Sequence, residues 1–273
     1  MSRLLRGGFA RGLLQGTVLC TLGLGVAAAG PVGHVASDVR RMVREDLPDY
    51  AATPASWKAA GWVRLGVGGA AVGLVALGDD AVRAAVADRD TAFTRRVAGA
   101  VRSLGDVFGL GGLSAVAAYG AGVLTGSGSL RALGFEMLEA AAFASLTVAA
   151  LKVAVGRSRP GQGEGPWSFR WLRGGVGGAH GSFPSQHAAL AFSLAEVVST
   201  RVDGAGWWAW PLAGLVAASR VHDDVHWASD VAAGALVGAA VGRWVAGRRD
   251  RPRISWIPWP GRGRVGAVCR VAF

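Results

Sequence analysis

Charged residues are scarce in this chain. They make up 17% of its 273 residues, whereas hydrophobic residues make up 51%. A soluble globular domain carries about 25% charged residues, so the shortage argues against that class of protein. The mean hydropathy of +0.35 agrees with this conclusion. The composition is therefore typical of a protein that lies in a membrane.

Cysteine and lysine are also rare. The two cysteines, Cys20 and Cys269, lie at opposite ends of the chain and offer neither a disulfide framework nor a zinc site. Only Lys58 and Lys152 among the 29 basic residues are lysines. The net charge of +11 would suit a nucleic-acid partner. However, the arginines gather at the ends of apolar runs and in tails, without interleaved aromatic residues for base stacking, so we exclude nucleic acid.

What the sequence has instead is a series of apolar runs. Several approach the roughly 20 residues that a helix needs to cross a bilayer. The pattern predicts an all-α fold, a polytopic membrane bundle of about six transmembrane helices. The run that contains Arg64 is the weakest candidate. The apolar runs are 12–30, 61–78, 107–125, 133–151, 188–200, 207–219 and 229–246.

The runs suggest how the chain is organised. Residues 1–30 have a basic start, an apolar stretch and small residues after it, which predicts either a cleaved signal peptide or a first transmembrane helix. Residues 31–106 form a polar lead-in with the possible span 61–78, and an amphipathic helix over 79–106 would lie at the membrane surface. Residues 107–246 form the core that carries the candidate site.

The basic C-terminal tail, residues 247–273, sets the expected orientation. Seven arginines lie in it, and such residues favour the cytoplasmic side. We expect a protein of the bacterial inner (cytoplasmic) membrane whose segment 220–228 faces the periplasm or exterior. Counting both 12–30 and 61–78 as spans would place the tail outside. Either the first run is cleaved, then, or one of the two does not cross.

Polar residues cluster at the ends of the runs on this outer side, where ionisable groups are expensive and usually functional. In "KVAVGRSRP", Lys152 ends the span 133–151 and Arg159 follows it. A lysine is a compact point charge whereas arginine is a planar fork, so the rare lysine indicates a need for a compact ammonium group here. The alternative is a lysine that snorkels from a helix end to the membrane surface.

A second cluster, "SFPSQHA", opens the next span. Pro184 favours the first turn of a helix. The free N–H groups of Ser185 and Gln186 would then lie at a helix N-terminus, ready to hold an anion. His187 falls in the same turn.

The third cluster is "SRVHDDVHWASD", in which Arg220 ends a span. His226 and Asp230 are four residues apart, a spacing that places them on one helical face. The carboxylate can then accept from one ring nitrogen and leave the other free to attack.

The same stretch also resembles a metal site, because His222 and His226 are four apart with Asp223 and Asp224 between them. The lysine and the two arginines of the three clusters would repel a divalent metal and attract a phosphate. We therefore predict a phosphate site with no metal and no cofactor. His222 and the two aspartates are then interpreted as a polar loop.

Taken in order and spacing, the three clusters resemble the three-part signature of the type-2 phosphatidic acid phosphatase family, which also includes vanadium haloperoxidases. The resemblance covers residues 107–246. Gln186 departs from the glycine that is usual in the family, although its backbone N–H remains. The matching residues are Lys152, Arg159, Pro160, Pro184, Ser185, His187, Ser219, Arg220, His226 and Asp230.

This resemblance implies an integral membrane phosphatase that hydrolyses lipid phosphate monoesters or prenyl and lipid pyrophosphates through a phosphohistidine intermediate. Its partners would be the lipid phosphate and the bilayer. His226 would be the nucleophile, oriented by Asp230, and His187 the general acid and base. The implied phosphate-binding residues are Lys152, Arg159, Ser185, Gln186 and Arg220.

Other functions remain as alternatives at this stage. A lipid phosphotransferase would use the same site, and a non-enzymatic lipid-binding or transport protein would use the same spans. The apolar spans argue against a haloperoxidase, because those enzymes are soluble. Glu136 and Glu139 lie within the span 133–151, where they would line the bundle interior or pair with arginines.

Overall fold

A computed structural model describes residues 31–102, 104, 109–248, 253–261 and 264–272. The predicted signal peptide or first helix, with Cys20, lies outside these residues. Irregular chain connects α7 to α8 except for a single short 3₁₀ turn. The elements are α1 (Pro31–Arg41), α2 (Leu47–Ala52), α3 (Ala59–Ala76), α4 (Asp79–Ala87), α5 (Ala92–Arg102), α6 (Leu110–Thr125), α7 (Gly128–Val155), α8 (Gln186–Arg201), α9 (Gly206–His222), α10 (Ala228–Arg248), β1 (Arg253–Gly261) and β2 (Arg264–Ala272).

The long helices alternate in direction, so their ends gather in two groups. Arg157, just after α7, bonds to Asp79 after α3 and to Asp230 at the start of α10. At the opposite end, Arg201 of α8 donates to the carbonyl of Ala246 near the end of α10. We call the first group the site end and the second the far end. Polar loops of 156–185 and 223–227 thus meet at the site end.

Two helices, α3 and α7, are long and apolar enough to cross a membrane, and α6 is apolar but shorter. The run 61–78 thus corresponds to a full helix despite Arg64. The stripe Leu146, Ala150 and Val153 of α7 is exposed, as expected for a face that contacts lipid. Within the described residues the bundle is helical, as predicted.

Helices α8 and α10 run in the same direction and touch along a line of glycines. A Cβ on Gly234 would lie 2.4 Å from the carbonyl oxygen of Ser185, and one on Gly238 would lie 2.2 Å from that of Ala189. Gly242 meets Ser193 in the same way at 2.6 Å. Small residues four apart let two helix backbones approach closely, which is the usual way in which membrane helices pack without a hydrophobic driving force.

Some expectations about the surface elements were wrong. The single amphipathic helix expected over 79–106 is two helices, α4 and α5, joined by a turn. The polar lead-in is largely helical, with a π-helical segment at Met42–Asp46 between α1 and α2. Within the basic tail, β1 and β2 pair as an antiparallel hairpin with Trp256 opposite Cys269. No apolar periodicity marked that hairpin.

The glycine contact predicts a position-specific effect on stability. Gly238→Ala should lower the free energy of unfolding in detergent by about 1–3 kcal/mol, because the added methyl group overlaps the α8 backbone. The measurement is thermal unfolding of the purified protein.

Gly214→Ala is the matched control, since a Cβ there meets no heavy atom of the described residues within 4 Å. It should leave stability unchanged or raise it slightly, because alanine favours helix over glycine. Equal melting temperatures for the two variants would contradict the close approach of α8 and α10.

Candidate active site

Backbone hydrogen bonds bring the first two polar clusters together. The N–H of Arg159 donates to the carbonyl of Ala179 at 3.0 Å, and the N–H of Ser182 donates to that of Arg157 at 3.0 Å. The chain after α7 therefore pairs with the chain before α8. The third cluster joins them because the N–H of Ser185 donates to the carbonyl of Asp230 at 2.9 Å. Residues far apart in sequence thus share one site.

His226 and Asp230 are neighbours, although for a different reason from the one expected. His226 precedes α10, so the two residues do not share a helical face. Asp230 lies in the first turn and its Oδ2 accepts the N–H of Trp227 at 2.9 Å, as the acidic residue of a capping box does. This turn brings the Nδ1 atom of His226 to 3.7 Å from Oδ2 of Asp230. This distance exceeds that of a hydrogen bond, and Nδ1 is buried with no hydrogen-bond partner among the described residues. With Nδ1 turned towards Asp230, Nε2 is the ring nitrogen available to a substrate.

The carboxylate of Asp230 is fully buried and held from several sides. Its Oδ1 accepts from Nη1 of Arg157 at 2.7 Å, and its Oδ2 accepts from Oγ of Ser182 at 2.5 Å. A buried carboxylate needs such partners, since an unpaired charge would be very costly. Its position is therefore fixed before any substrate binds.

The hydrogen-bond network around Asp230 includes three residues that the sequence did not predict: Asp79, Arg157 and Ser229. Arg157 is buried, and besides Asp230 it donates to Asp79 at 2.8 Å and to Ser229 at 2.7 Å. Arg157 did stand in the quoted first cluster. In that cluster the predicted phosphate-binding arginine was Arg159, which precedes a proline. Asp79 belongs to no sequence motif, and its part in the network is visible only from its contacts in the folded protein.

Two cations lie close to His226. Nζ of Lys152 donates to the carbonyl of Gly181 and approaches that of Ser182 at 3.5 Å. Arg159 donates from Nη1 to the carbonyl of Val225 at 3.3 Å, next to the histidine. These carbonyls position the cations without neutralising them. Both positive charges therefore remain available to an anion.

The imidazole of His226 is buried, and this sets its charge. Burial lowers the pKa of His226 below its ordinary 6.5, while Asp230 acts in the opposite direction and the positive charges of Lys152 and Arg159 lower the pKa further. Burial likewise lowers the pKa of Arg159, partly offset by Asp230. The neutral imidazole, the form that can act as a nucleophile, is thus favoured near pH 7.

The start of α8 differs in detail from the expectation. Pro184 precedes the N-cap residue Ser185 rather than lying in the first turn, and the Ser185 N–H is already bonded to Asp230. The Ser185 hydroxyl is buried with no hydrogen-bond partner among the described residues. Nε2 of Gln186 donates to Oγ of Ser145 at 2.8 Å, so this side chain turns towards α7. His187 follows in the first turn, half-buried.

Arg220 is buried at the end of α9 and pairs with Asp223. Asp223 also lies 3.3 Å from Nη1 of Arg102 on α5. Asp224 forms two 2.7 Å hydrogen bonds with Arg83 of α4. The two aspartates interpreted as a polar loop therefore anchor the loop before His226 to the surface helices.

His222 also contacts the first turn of α5 and the turn before it. Its Nε2 lies 3.1 Å from Oγ1 of Thr94 and 3.3 Å from Oδ1 of Asp90. Among the described residues, no group of three or more His, Cys, Asp or Glu side chains could hold a metal ion.

The glutamates of α7, Glu136 and Glu139, lie towards the far end of the bundle. Glu136 is buried and forms a two-pronged ion pair with Arg201 of α8, at 2.7 and 3.0 Å. This pairing is one of the two alternatives considered for it. Glu139 is buried in the same half of α7. Neither residue is near His226.

Together the fold and the site define a class of protein: a helical membrane bundle with a buried, oriented imidazole beside an excess of positive charge, suited to a phosphoryl group. The model of the PAP2 superfamily matches residues 133–253. This match, over less than half of the chain, confirms the resemblance noted from its sequence.

Individual relatives agree with this assignment. The chain is 36% identical to the lipid A 1-phosphatase of Porphyromonas gingivalis over 89 residues, which are 30% of this chain and 20% of that relative's length. It also shares its fold with the crystal structure of a transmembrane PAP2 type phosphatidylglycerolphosphate phosphatase from Bacillus subtilis. That match has a TM-score of 0.53 and 22% identity and covers 69% of this chain and 94% of the other. The predicted fold class is thereby confirmed.

The buried pairing of Arg157 predicts a large loss of stability on truncation. Arg157→Ala should destabilise the protein by roughly 3–5 kcal/mol, because two buried carboxylates would lose their cation. Thermal unfolding in detergent measures the loss.

Arg170→Ala provides the comparison, since Arg170 and Glu164 form an exposed pair at 3.4 Å. Such pairs contribute about 0–1 kcal/mol. A similar small loss for Arg157→Ala would show that its buried contacts contribute little.

Proposed function

We propose that this protein is a membrane phosphatase that hydrolyses lipid phosphate monoesters or lipid pyrophosphates through a phosphohistidine intermediate on His226. The observation that carries the proposal is the buried imidazole, oriented by Asp230 and adjacent to the cations Lys152 and Arg159. A neutral nucleophile next to positive charge suits attack on an anionic phosphorus centre.

The chemistry follows in two steps. In the first, Nε2 of His226 forms a bond to phosphorus while the bond from phosphorus to the leaving oxygen breaks, and His187 gives that oxygen a proton. Asp230 stabilises the positive charge on the ring. In the second, water attacks phosphorus, His187 takes the proton of the water, and the N–P bond breaks. Inorganic phosphate leaves and the imidazole is neutral again.

Negative charge on the nonbridging oxygens must be balanced throughout. Lys152, Arg159 and Arg220 would provide three cations for it. The hydroxyl of Ser185, which has no hydrogen-bond partner among the described residues, and the N–H of Gln186 at the start of α8 would donate hydrogen bonds. Arg220 would then exchange its bond to Asp223 for one to phosphate. With these donors the proposed reaction requires no metal ion.

A lipid substrate is supported by the loop beside the site. The N–H of Leu172 donates to the carbonyl of Ala154 in the last turn of α7, which fixes the loop at the height where this helix ends. Trp167, Trp171 and Leu172 are all more than half exposed there. Trp side chains favour the membrane interface, so the site would open where lipid headgroups lie. Both named relatives act on lipid phosphates, as their names state.

The orientation proposed is that of the site end facing the exterior of a bacterial inner membrane. Helix α10 ends at the far end, and the tail with its seven arginines follows it. Positively charged residues favour the cytoplasmic side. The site would therefore meet lipids of the outer leaflet.

Phosphate release from purified protein tests the activity. A panel of phosphatidic acid, phosphatidylglycerol phosphate, lipid A and a prenyl pyrophosphate should include a substrate, and His226→Ala should lower kcat on it by on the order of 10³-fold or more, since it removes the nucleophile. His222→Ala should retain most of the activity, because His222 contacts Thr94 and Asp90 and is not one of the proposed catalytic residues.

Three results would contradict the mechanism: turnover that survives loss of His226, turnover that disappears with a chelator, and failure to trap acid-labile phosphate on the wild-type protein. A second assay with an added lipid or sugar acceptor separates hydrolysis from phosphotransfer. Transfer of most phosphoryl groups to the acceptor would identify a phosphotransferase instead.

The charge state of His226 predicts the acid side of the pH profile. The nucleophile must be neutral, and burial lowers the pKa of His226 below 6.5. The acid limb of kcat/KM should therefore lie below pH 6.5, with full activity of this group above that value and loss as the pH falls through the lowered pKa. Titration of the substrate phosphate by ³¹P NMR serves as the control. An acid limb of the enzyme above pH 6.5 would contradict the assignment.

A further inference from the structure

We propose that Asp79 is a positioning residue for the catalytic histidine, acting through Arg157 and Asp230. The inference rests on the proposed function of His226. Asp79 begins α4 and lies outside residues 133–253, the part matched to the superfamily. Neither that match nor any motif in the sequence points to it.

The carboxylate of Asp79 forms hydrogen bonds with two residues of the site. Its carboxylate is completely buried. Oδ1 accepts the backbone N–H of Ser229 at 2.9 Å, and Oδ2 accepts from the hydroxyl of Ser229 at 2.5 Å and from Nη2 of Arg157 at 2.8 Å. These partners, Ser229 and Arg157, belong to the segments that build the site.

Asp79 caps the helix that carries Asp230. Ser229 lies in the first turn of α10, where backbone N–H groups have no acceptor within their own helix. Asp79 supplies that acceptor from another helix. The first turn of α10, with Asp230 in it, is thereby fixed to α4. The ring of His226 is oriented by this turn.

The charges of the network give Asp79 a second effect. One guanidinium, that of Arg157, is shared between Asp79 and Asp230. The ring centroids of Phe169 and Trp227 lie within 6 Å of the Cζ atom of Arg157, so little solvent separates the charges. Two carboxylates and one arginine leave a net negative charge. Asp230 therefore keeps part of its charge for the imidazolium-like state of His226, which a lone Arg157–Asp230 pair would cancel.

The test is Asp79→Asn, which is nearly isosteric and keeps an oxygen for the Ser229 N–H. We expect kcat on the lipid phosphate to fall roughly 10–100-fold, as when other residues that hold a functional histidine are lost. KM should stay within about twofold of the wild-type value, since Asp79 is outside the phosphate-binding set.

The pH profile separates positioning from a merely structural role. His226 faces Asp230 on α10, Lys152 on α7 and Arg159 in the loop. Asn at position 79 removes a negative charge that opposes these cations, so the acid limb of kcat/KM should move to lower pH by roughly 0.5 unit or more. Ser229→Ala keeps every charge and should leave that limb in place.

Asp80→Asn is the matched control, because it removes the same charge one residue away from an exposed position. It should leave both kcat and the acid limb unchanged. A folded Asp79→Asn protein with wild-type kcat and an unmoved limb would overturn the proposal, as would an equal effect of Asp80→Asn.

Two further measurements cover the remaining outcomes. If Asp79→Asn does not fold, Asp79→Glu keeps the charge and should show reduced kcat with the wild-type acid limb, and wild-type kcat in it would overturn the proposal. If the wild-type protein hydrolyses no lipid phosphate, the proposed function fails by itself. NMR titration of the His226 imidazole in wild type and Asp79→Asn then still tests the link: a lower pKa in the variant supports it, and identical values overturn it.

Discussion

The candidate site depends on one buried carboxylate, that of Asp230. A charge in this position is tolerated only because Arg157 and Ser182 donate to it and the first turn of α10 bonds to it. Each donor comes from a different part of the chain. Satisfying one carboxylate therefore draws the loop after α7, the loop before α8 and the start of α10 together. The same carboxylate faces His226, so assembly of the fold and orientation of the imidazole share one cause.

Close packing of α8 on α10 makes this arrangement possible. Gly234 allows the Ser185 backbone to approach α10 within hydrogen-bonding distance of the Asp230 carbonyl. A larger side chain at Gly234 would separate the two helix starts. Both starts therefore lie side by side at the site end. The glycines of α10 thus serve the site as well as the bundle, which explains why weakly hydrophobic, glycine-rich helices suit this protein.

Most of the bundle was predictable because apolar runs and polar clusters are local features of the sequence. Lys152, Arg159 and His226 stand beside run ends, where an ionisable residue is conspicuous. Asp79 is equally important in the structure, but it follows α3 as one of two adjacent aspartates. Its role depends on pairing with Arg157, which is 78 residues away in the sequence. The spacing of residues within a motif does not reveal such a contact. The same limit explains the His226–Asp230 geometry, since a four-residue spacing suits a helical face and a capping turn equally well.

The balance of charge around the candidate site supports the proposal that it binds an anion. The carboxylate of Asp230 already has Arg157, and that of Asp223 has both Arg220 and Arg102. Asp230 therefore offsets Lys152 and Arg159 only in part, and these two cations bond to neutral carbonyls. Positive charge that is only partly neutralised attracts an anion. The aspartates that suggest a metal site, Asp223 and Asp224, are thus paired with arginines, and Lys152 and Arg159 are the cations that bond to carbonyls.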